Sequence, residues 1–351
     1  MPGVGSAESA AHLANNYLLL QGNRMEKKMK YIVTGCDGKL ASRICNNVLK
    51  EVDGKDLIFT CPDIGRVLPE NKQVWEDKGV SIRKADYDNK EEMIEAFRGG
   101  DRIYIVSALM NGPVRVVQHK NAFDAAVEAG VGHLVYTSYI GANDPDVHLY
   151  VQPDHTASEA YLYEMSSRIG FTYNVMRNNF YLENCLNTGV MLANIADYVW
   201  GTNAGDGLFT PIAKDDSAEC AAALLLGRGG YNTVYDLTSE IPITMRYICE
   251  LIAERSGKPY TYKVLDDDGF YAYLEALGIP KETQGFNYTA PVPWCGYDMI
   301  TNEGGIRGGD LCVISHDVYK LLGRKPRFVD DILDEYSYLW EEDIRHWTQV
   351  R

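Results

Sequence analysis

The segment KYIVTGCDGKLA, residues 30–41, constrains the fold more than any other stretch. The apolar run Tyr31, Ile32, Val33 stops at Thr34, and small residues then recur every third position: Gly35, Gly38 and Ala41. Helix formers follow. This order predicts a strand, a tight turn and a helix whose N-terminus faces a phosphate. Glycine at 35 permits a turn closed to side chains, and glycine at 38 lets the backbone approach a pyrophosphate. A small residue at 41 lets helix and strand pack closely. The spacing alone also fits an ordinary strand–helix turn; it gains meaning from its place on the first strand of an alternating series.

That series runs from residue 30 to about 200. Strands are expected at 30–34, 56–61, 80–84, 102–107, 133–138 and 172–176, and helices near 39–51, 68–77, 90–98, 114–129 and 155–169. The strands are short apolar runs without strict alternation, as in a parallel sheet buried on both faces. Regular βα alternation implies right-handed crossovers and a doubly wound α/β sheet. Beyond residue 200 the pattern loosens. Strands are expected at 205–212 and 232–238, and helices at 214–227, 243–256 and 266–277. A long loop rich in glycine, proline and aromatics covers 281–312, and an acidic helical stretch covers 328–349. The expected organisation is an N-terminal extension or expression remnant over 1–28, a dinucleotide-binding domain over 29–200 and a smaller C-terminal α/β substrate lobe over 201–351.

A net charge of −15 argues against nucleic acid and against anionic membrane surfaces as partners. Eight cysteines without a CxxC pair read as reduced thiols, and seven histidines without HxH or HxxxH spacing give no metal site. No stretch is long and apolar enough for a membrane span, so a soluble, cytoplasmic monomer or homodimer is expected.

Several segments, in order, resemble the NmrA-like group of atypical short-chain dehydrogenases, and within it type 2 NAD(P)H:quinone oxidoreductases and triphenylmethane reductases. They are VTGCDGKLA (33–41), KADYDNKEEMIEAFRG (84–99), RIYIVSA (102–108), QHKNAFDAAVEAGVGHLVYTSYIGA (118–142), DHTASEAYL (154–162) and YNVMRNNFYLEN (173–184). The likeness covers about 30–280, whereas 281–312 departs from the short tail expected of the group. The resemblance implies a Rossmann-type domain that binds NADH or NADPH at the carboxyl edge of its sheet, with a small aromatic substrate held against a C-terminal lobe.

Four loops then supply cofactor-binding candidates. The glycine turn gives Thr34, Gly35, Asp37, Gly38, Lys39 and Leu40. After the second strand, relatives that prefer NADPH carry an arginine for the 2′-phosphate. Here Cys61 stands at that place, with Arg66 as a replacement from the next turn. Asp63 suits an unphosphorylated ribose, and this favours NADH. Asp86 resembles the family residue near the adenine, and Ser107 and Ala108 are small residues against the ribose and phosphates. Tyr136, Thr137 and Asn178 complete the cofactor set, Asn178 on the carboxamide.

The larger superfamily uses a tyrosine with a lysine four residues later, and no tyrosine here has one. Reduction of a simple carbonyl by that relay is therefore not expected. Ser138 lies where the superfamily keeps a hydroxyl near the reacting carbonyl, and Tyr139, His155 and Tyr181 are the candidate acids. Asn179, Phe180, Tyr181 and Trp294 are the candidate substrate contacts, with Phe286, Tyr288 and Tyr297 as further aromatics of the long loop. The expected activity is hydride transfer to a planar aromatic or conjugated acceptor, a quinone first. Reduction of flavonoid- or lignan-type phenolics and non-catalytic redox sensing are the alternatives.

Overall fold

The computed structural model describes residues 28–351 apart from Gln284 and Phe286. The expected extension thus lies outside the described residues except for Lys28, and Phe286 lies outside them too.

Strands β1 (Tyr31–Thr34), β2 (Leu57–Cys61), β3 (Ser81–Lys84), β4 (Arg102–Ile105), β5 (His133–Tyr139) and β6 (Thr172–Asn178) alternate with helices α1 (Lys39–Leu49), α2 (Pro69–Asp77), α3 (Lys90–Phe97), α4 (Pro113–Glu128) and α5 (Gln152–Ile169). There follow α6 (Leu182–Ile195), β7 (Val199–Thr202), α7 (Lys214–Leu225), β8 (Thr233–Leu237), α8 (Met245–Ser256), β9 (Thr261–Val264), α9 (Asp267–Ala276), α10 (Gly296–Gly308), α11 (Asp317–Leu322), α12 (Val329–Leu333) and α13 (Tyr338–Glu341). The main sheet has seven strands in the order β3-β2-β1-β4-β5-β6-β8, every pair parallel. The strands β7 and β9 form a separate parallel pair.

Strand alternation sends successive side chains to two cores. Ile32, Ile58, Ile103 and Leu134 pack with Phe97, Phe123 and Leu162 of α3, α4 and α5. Val33, Phe59, Tyr104 and Val135 pack with Ile44, Trp75 and Leu225 of α1, α2 and α7. Each such side chain contributes about 1.5–3 kcal/mol on burial, so two apolar layers hold the sheet. A third cluster, including Val190, Trp200, Ile248, Phe270, Ile306 and Leu339, gathers the later helices around the β7–β9 pair.

Three expectations change. Residues 205–212 make no strand, only isolated bridges from Phe209 to Ile243 and from Ile212 to Tyr181; Pro211, with no N–H, interrupts any ladder. The strand at 232–238 joins the main sheet beside β6, bringing α7 back against α1. The long loop contains α10, whose glycines mask its helical spacing. At Gly305 the missing side chain permits close packing: a Cβ there would stand 2.6 Å from Leu149 Cδ2.

The chain leaves β1 toward β2 and β3, then returns to β4 on the other side of β1. This reversal opens a crevice at the carboxyl ends of β1 and β4, where doubly wound sheets bind ligands.

Candidate functional site

The turn after β1 has the expected form. Gly35 sits at φ +68°, and a Cβ there would lie 2.5 Å from Val106 Cγ1. Gly38 N–H donates to Gly35 O at 2.8 Å. Gly38 caps α1 without a side chain, which leaves the first-turn amides to an outside acceptor. These residues, with Asp37, Lys39 and Leu40, line a cavity of about 590 Å³.

The cavity carries charge of both signs, with Asp37, Asp86 and Asp88 beside Lys39, Arg66 and Lys214. Burial and then mutual repulsion with Lys214 and Arg43 bring the Lys39 ammonium down to about 8. Burial likewise brings Lys214 to about 8, against the pull of Glu183. Lys39 Nζ donates to Val350 O at 2.8 Å and Lys214 Nζ to Asn184 Oδ1 at 2.7 Å, and a pyrophosphate at the α1 N-terminus would bring both a counter-charge. The shape at Gly35 and Gly38 and this charge both fit a dinucleotide. Lys214 was missed in the sequence because it reaches the turn only through the return of α7.

Arg66 and Asp86 line the same cavity, and Arg66 Nε lies 3.4 Å from Asp37 Oδ2. Three other candidates do not line it. Asp63 turns its Oδ1 to Gly65 N–H (2.8 Å), capping the turn over Ile64–Arg66. Cys61 is buried beneath that turn. Thr34 is a strut: its hydroxyl accepts from Val106 N–H (3.0 Å) and pairs with Tyr87 OH (2.6 Å), which itself donates to Val106 O.

A second cavity, of about 270 Å³, adjoins the first; Leu40, Ser107, Ala108, Asn184, Thr188 and Trp294 border both. Thr137, Ser138, Tyr139, His155, Asn178, Phe180 and Tyr181 line the second, with Leu192, Trp200, Met245 and Phe270 as apolar walls. Asn179 is not among them. It is fully buried, its Nδ2 donating to Thr210 Oγ1 and Leu311 O, both at 3.0 Å. Tyr288 and Tyr297 line neither cavity and are exposed.

Hydrogen bonding fixes what each polar group can do. Ser138 Oγ donates to Glu159 Oε1 (2.6 Å), and Arg177 clamps Glu159; Ser138 can therefore accept but has no proton to give. Asn178 Oδ1 accepts from Ser217 (2.6 Å). Burial drives the Tyr139 and Tyr181 phenols far above their usual range.

Tyr136 is wholly buried and lines neither cavity; it links two histidines. His119 Nε2 accepts from Ala108 N–H (2.9 Å), and burial, then Arg115, takes that imidazole down to about 3. His119 is thus neutral with its proton on Nδ1, 2.9 Å from Ser158 Oγ and 3.0 Å from Tyr136 OH. Tyr136 then donates to His155 Nδ1 (2.8 Å). This leaves His155 as a neutral ring offering Nε2–H, with burial holding it well below its usual range. The chain ends on a peptide N–H, so His155 can hydrogen-bond an acceptor oxygen but has no route by which to recover a lost proton.

Sequence reasoning also missed Asp298, Asn302 and Glu303 of α10 and Arg115 of α4, all of which line the second cavity. They come from a segment read as loop and from a helix read only for its apolar spacing. Among the described residues no group of His, Cys, Asp and Glu could hold a metal ion, and no helix is long and apolar enough to cross a membrane.

A profile of the NmrA-like family matches residues 27–285. The chain belongs to the NmrA-like family. Quinone oxidoreductase 2 of Escherichia coli is 27% identical over 248 residues, which cover 71% of this chain and 82% of that one. The structure of an NADPH-dependent quinone oxidoreductase from Escherichia coli complexed with NADPH superposes with a TM-score of 0.73 at 24% identity, covering 87% of this chain and 99% of that one. That of Citrobacter sp. triphenylmethane reductase complexed with NADP(H) gives 0.70 at 24%, covering 88% and 99%. These structures share the Rossmann-type fold. Their cofactors give no support to the preference for NADH drawn from Cys61 and Asp63. The matched region stops short of α10.

Proposed function

We propose that this NmrA-like protein is an NADPH-dependent reductase of planar conjugated small molecules, with quinones as the first acceptor class. The observation that carries the reading is the junction of two unlike cavities at the switch point of the sheet. One is a glycine-turn cradle bearing Lys39 and Lys214 and the other an aromatic-walled chamber, and they meet at Ser107, Ala108 and Trp294.

Gly35, Gly38, Lys39 and Lys214 would hold the pyrophosphate, Arg66 the 2′-phosphate, and Ser107 and Ala108 the ribose. A bound dihydronicotinamide supplies a hydride. The protein's own share is orientation: Phe180, Tyr181 and Trp294 form flat apolar walls, Asn178 is fixed by Ser217, and His155 Nε2–H is offered to an acceptor oxygen. The names of the quinone oxidoreductase relatives support this acceptor class, and the absence of a tyrosine–lysine pair supports an acceptor more electrophilic than a simple ketone.

The test is oxidation of NADPH or NADH in the presence of quinones, flavonoids and cationic dyes. Turnover with quinones is expected; turnover with flavonoids alone, or tight cofactor binding without turnover of any acceptor, would overturn the proposal. In the same assay Arg66→Ala should lower kcat/KM for NADPH by about 10- to 100-fold, the worth of a charge-assisted contact, and change that for NADH far less. Equal losses with both cofactors would remove Arg66 from the 2′-phosphate.

A further inference from the structure

The second cavity contains an acid that the proposed function does not yet use. Asp298 lies in the first turn of α10 and lines the cavity. Its orientation is set from β5. Tyr139 OH donates to Asn302 Oδ1 at 2.8 Å, and this turns the Asn302 amide so that Nδ2–H donates to Asp298 Oδ1 at 3.0 Å. Oδ1 is thereby the accepting oxygen, and a proton on the carboxyl belongs on Oδ2. Among the described residues Oδ2 has no hydrogen-bond partner.

The other candidate acids of the chamber are weaker, spent or less open to water; burial holds the Tyr181 phenol far above its usual range. Ser138 and Tyr139 spend their protons on Glu159 and Asn302, and His155 cannot be recharged. Glu303 accepts from the Thr202 hydroxyl and is only 6% exposed, which closes it to water. Asp298 is half-buried, against 6% exposure for Glu303 and 5% for His155, and is the most open of the three to water.

We propose that Asp298 is the proton donor to acceptor oxygens in this cavity, and that its ionisation decides which acceptors are reduced. The inference rests on the reductase reading. For a quinone the balance is one hydride from the bound cofactor and one proton from Asp298 Oδ2. The hydroquinone leaves, and the carboxylate takes a proton from water. A triarylmethane cation needs the hydride alone; it becomes neutral without any proton, and a carboxylate beside it attracts it.

Burial raises the Asp298 carboxyl to about 6, while Arg115 and Asn302 oppose the rise. The groups facing it are Arg115 of α4, which also pairs with Asp154 of α5 at 3.3 Å, Tyr139 of β5, Tyr150 before α5, and Cys295 at the start of α10. Burial pushes the two tyrosines and the cysteine upward, so they stay neutral through this range. His155, stacked 6.4 Å from Tyr139, also stays neutral. The acid and base forms of Asp298 therefore exchange near pH 6, below Glu303 of the same cavity, which burial raises to about 8.

Two measurements test this. In cofactor-free protein, a cationic triarylmethane dye should bind more tightly as pH rises through about 6, and Asp298→Asn should remove that rise. In turnover, kcat/KM for a quinone should fall about tenfold per pH unit above 6, while that for the dye rises. Asp298→Asn, nearly isosteric, should cost the quinone reaction about 10²-fold or more and leave the dye reaction active. Equal loss of both reactions would make Asp298 structural. Unchanged quinone kinetics, or a midpoint near 8 matching Glu303, would also overturn the proposal. Failure of wild-type protein to reduce either acceptor would instead reject the reductase reading.

Discussion

Gly189→Ala should both destabilise the protein and deform the acceptor chamber. Gly189 lies on α6, and the indole of Trp200, on β7, lies flat against it. A Cβ at 189 would fall 1.9, 2.1 and 2.3 Å from Trp200 Cζ2, Cη2 and Cε2. Contacts this short cannot be absorbed without moving the ring. Trp200 is 2% exposed and packed within the cluster that includes Leu192 and Phe270. Alanine at a helical site gains up to about 1 kcal/mol in propensity over glycine. Overpacking a filled core costs about 1–3 kcal/mol and more where an aromatic ring is displaced, so the clash wins. The expected net loss is about 2 kcal/mol, measured by urea unfolding. Both residues line the second cavity and neither lines the first. Acceptor KM should therefore rise at least about tenfold while the dissociation constant for NADPH stays within about twofold. Unchanged stability and KM would mean the chamber tolerates a shifted indole.

Glu303→Gln should change how stability depends on pH. Burial raises this carboxyl to about 8 from its usual 4.5, against the opposing hydrogen bonds from Thr202 and the Asn203 backbone. Between those two values the folded protein keeps a proton that the unfolded chain has released. Unfolding then releases a proton, and stability falls as pH rises through the window. A shift of this size corresponds to about 4 kcal/mol between pH 4 and pH 9. Glutamine has the shape of the neutral acid and nothing to titrate. The variant should match wild type near pH 5 and exceed it by a few kcal/mol at pH 9, in urea unfolding across a pH series. Parallel curves would show that Glu303 already ionises at its ordinary value.

How much of this was legible in the sequence depended on distance along the chain. The β1 turn was readable because its whole logic lies within residues 31–41. Ser107, Ala108 and Phe180 were readable from their places at strand ends, where a doubly wound sheet must bring them to one edge. Thr34, Cys61, Asp63, Tyr136 and Asn179 stood at or near the right strand ends, but position along the chain does not say which way a side chain turns. Thr34, Asp63, Tyr136 and Asn179 are held by Val106, Gly65, His155 and Thr210 in turn, and Cys61 is buried. The acidic end of the chamber was hidden for another reason. The glycines of α10, one of which, Gly305, packs closely on Leu149, gave that helix the composition of a loop. Lys214 was hidden because β8 returns to the main sheet after an excursion through β7.

Trp294 borders both cavities. On the proposed reading one indole is wall to two ligands, and each covers apolar surface that the other's arrival would otherwise leave wet. Whatever coupling this shared wall gives is reciprocal: NADPH must change the affinity for a planar acceptor by the same factor by which that acceptor changes the affinity for NADPH.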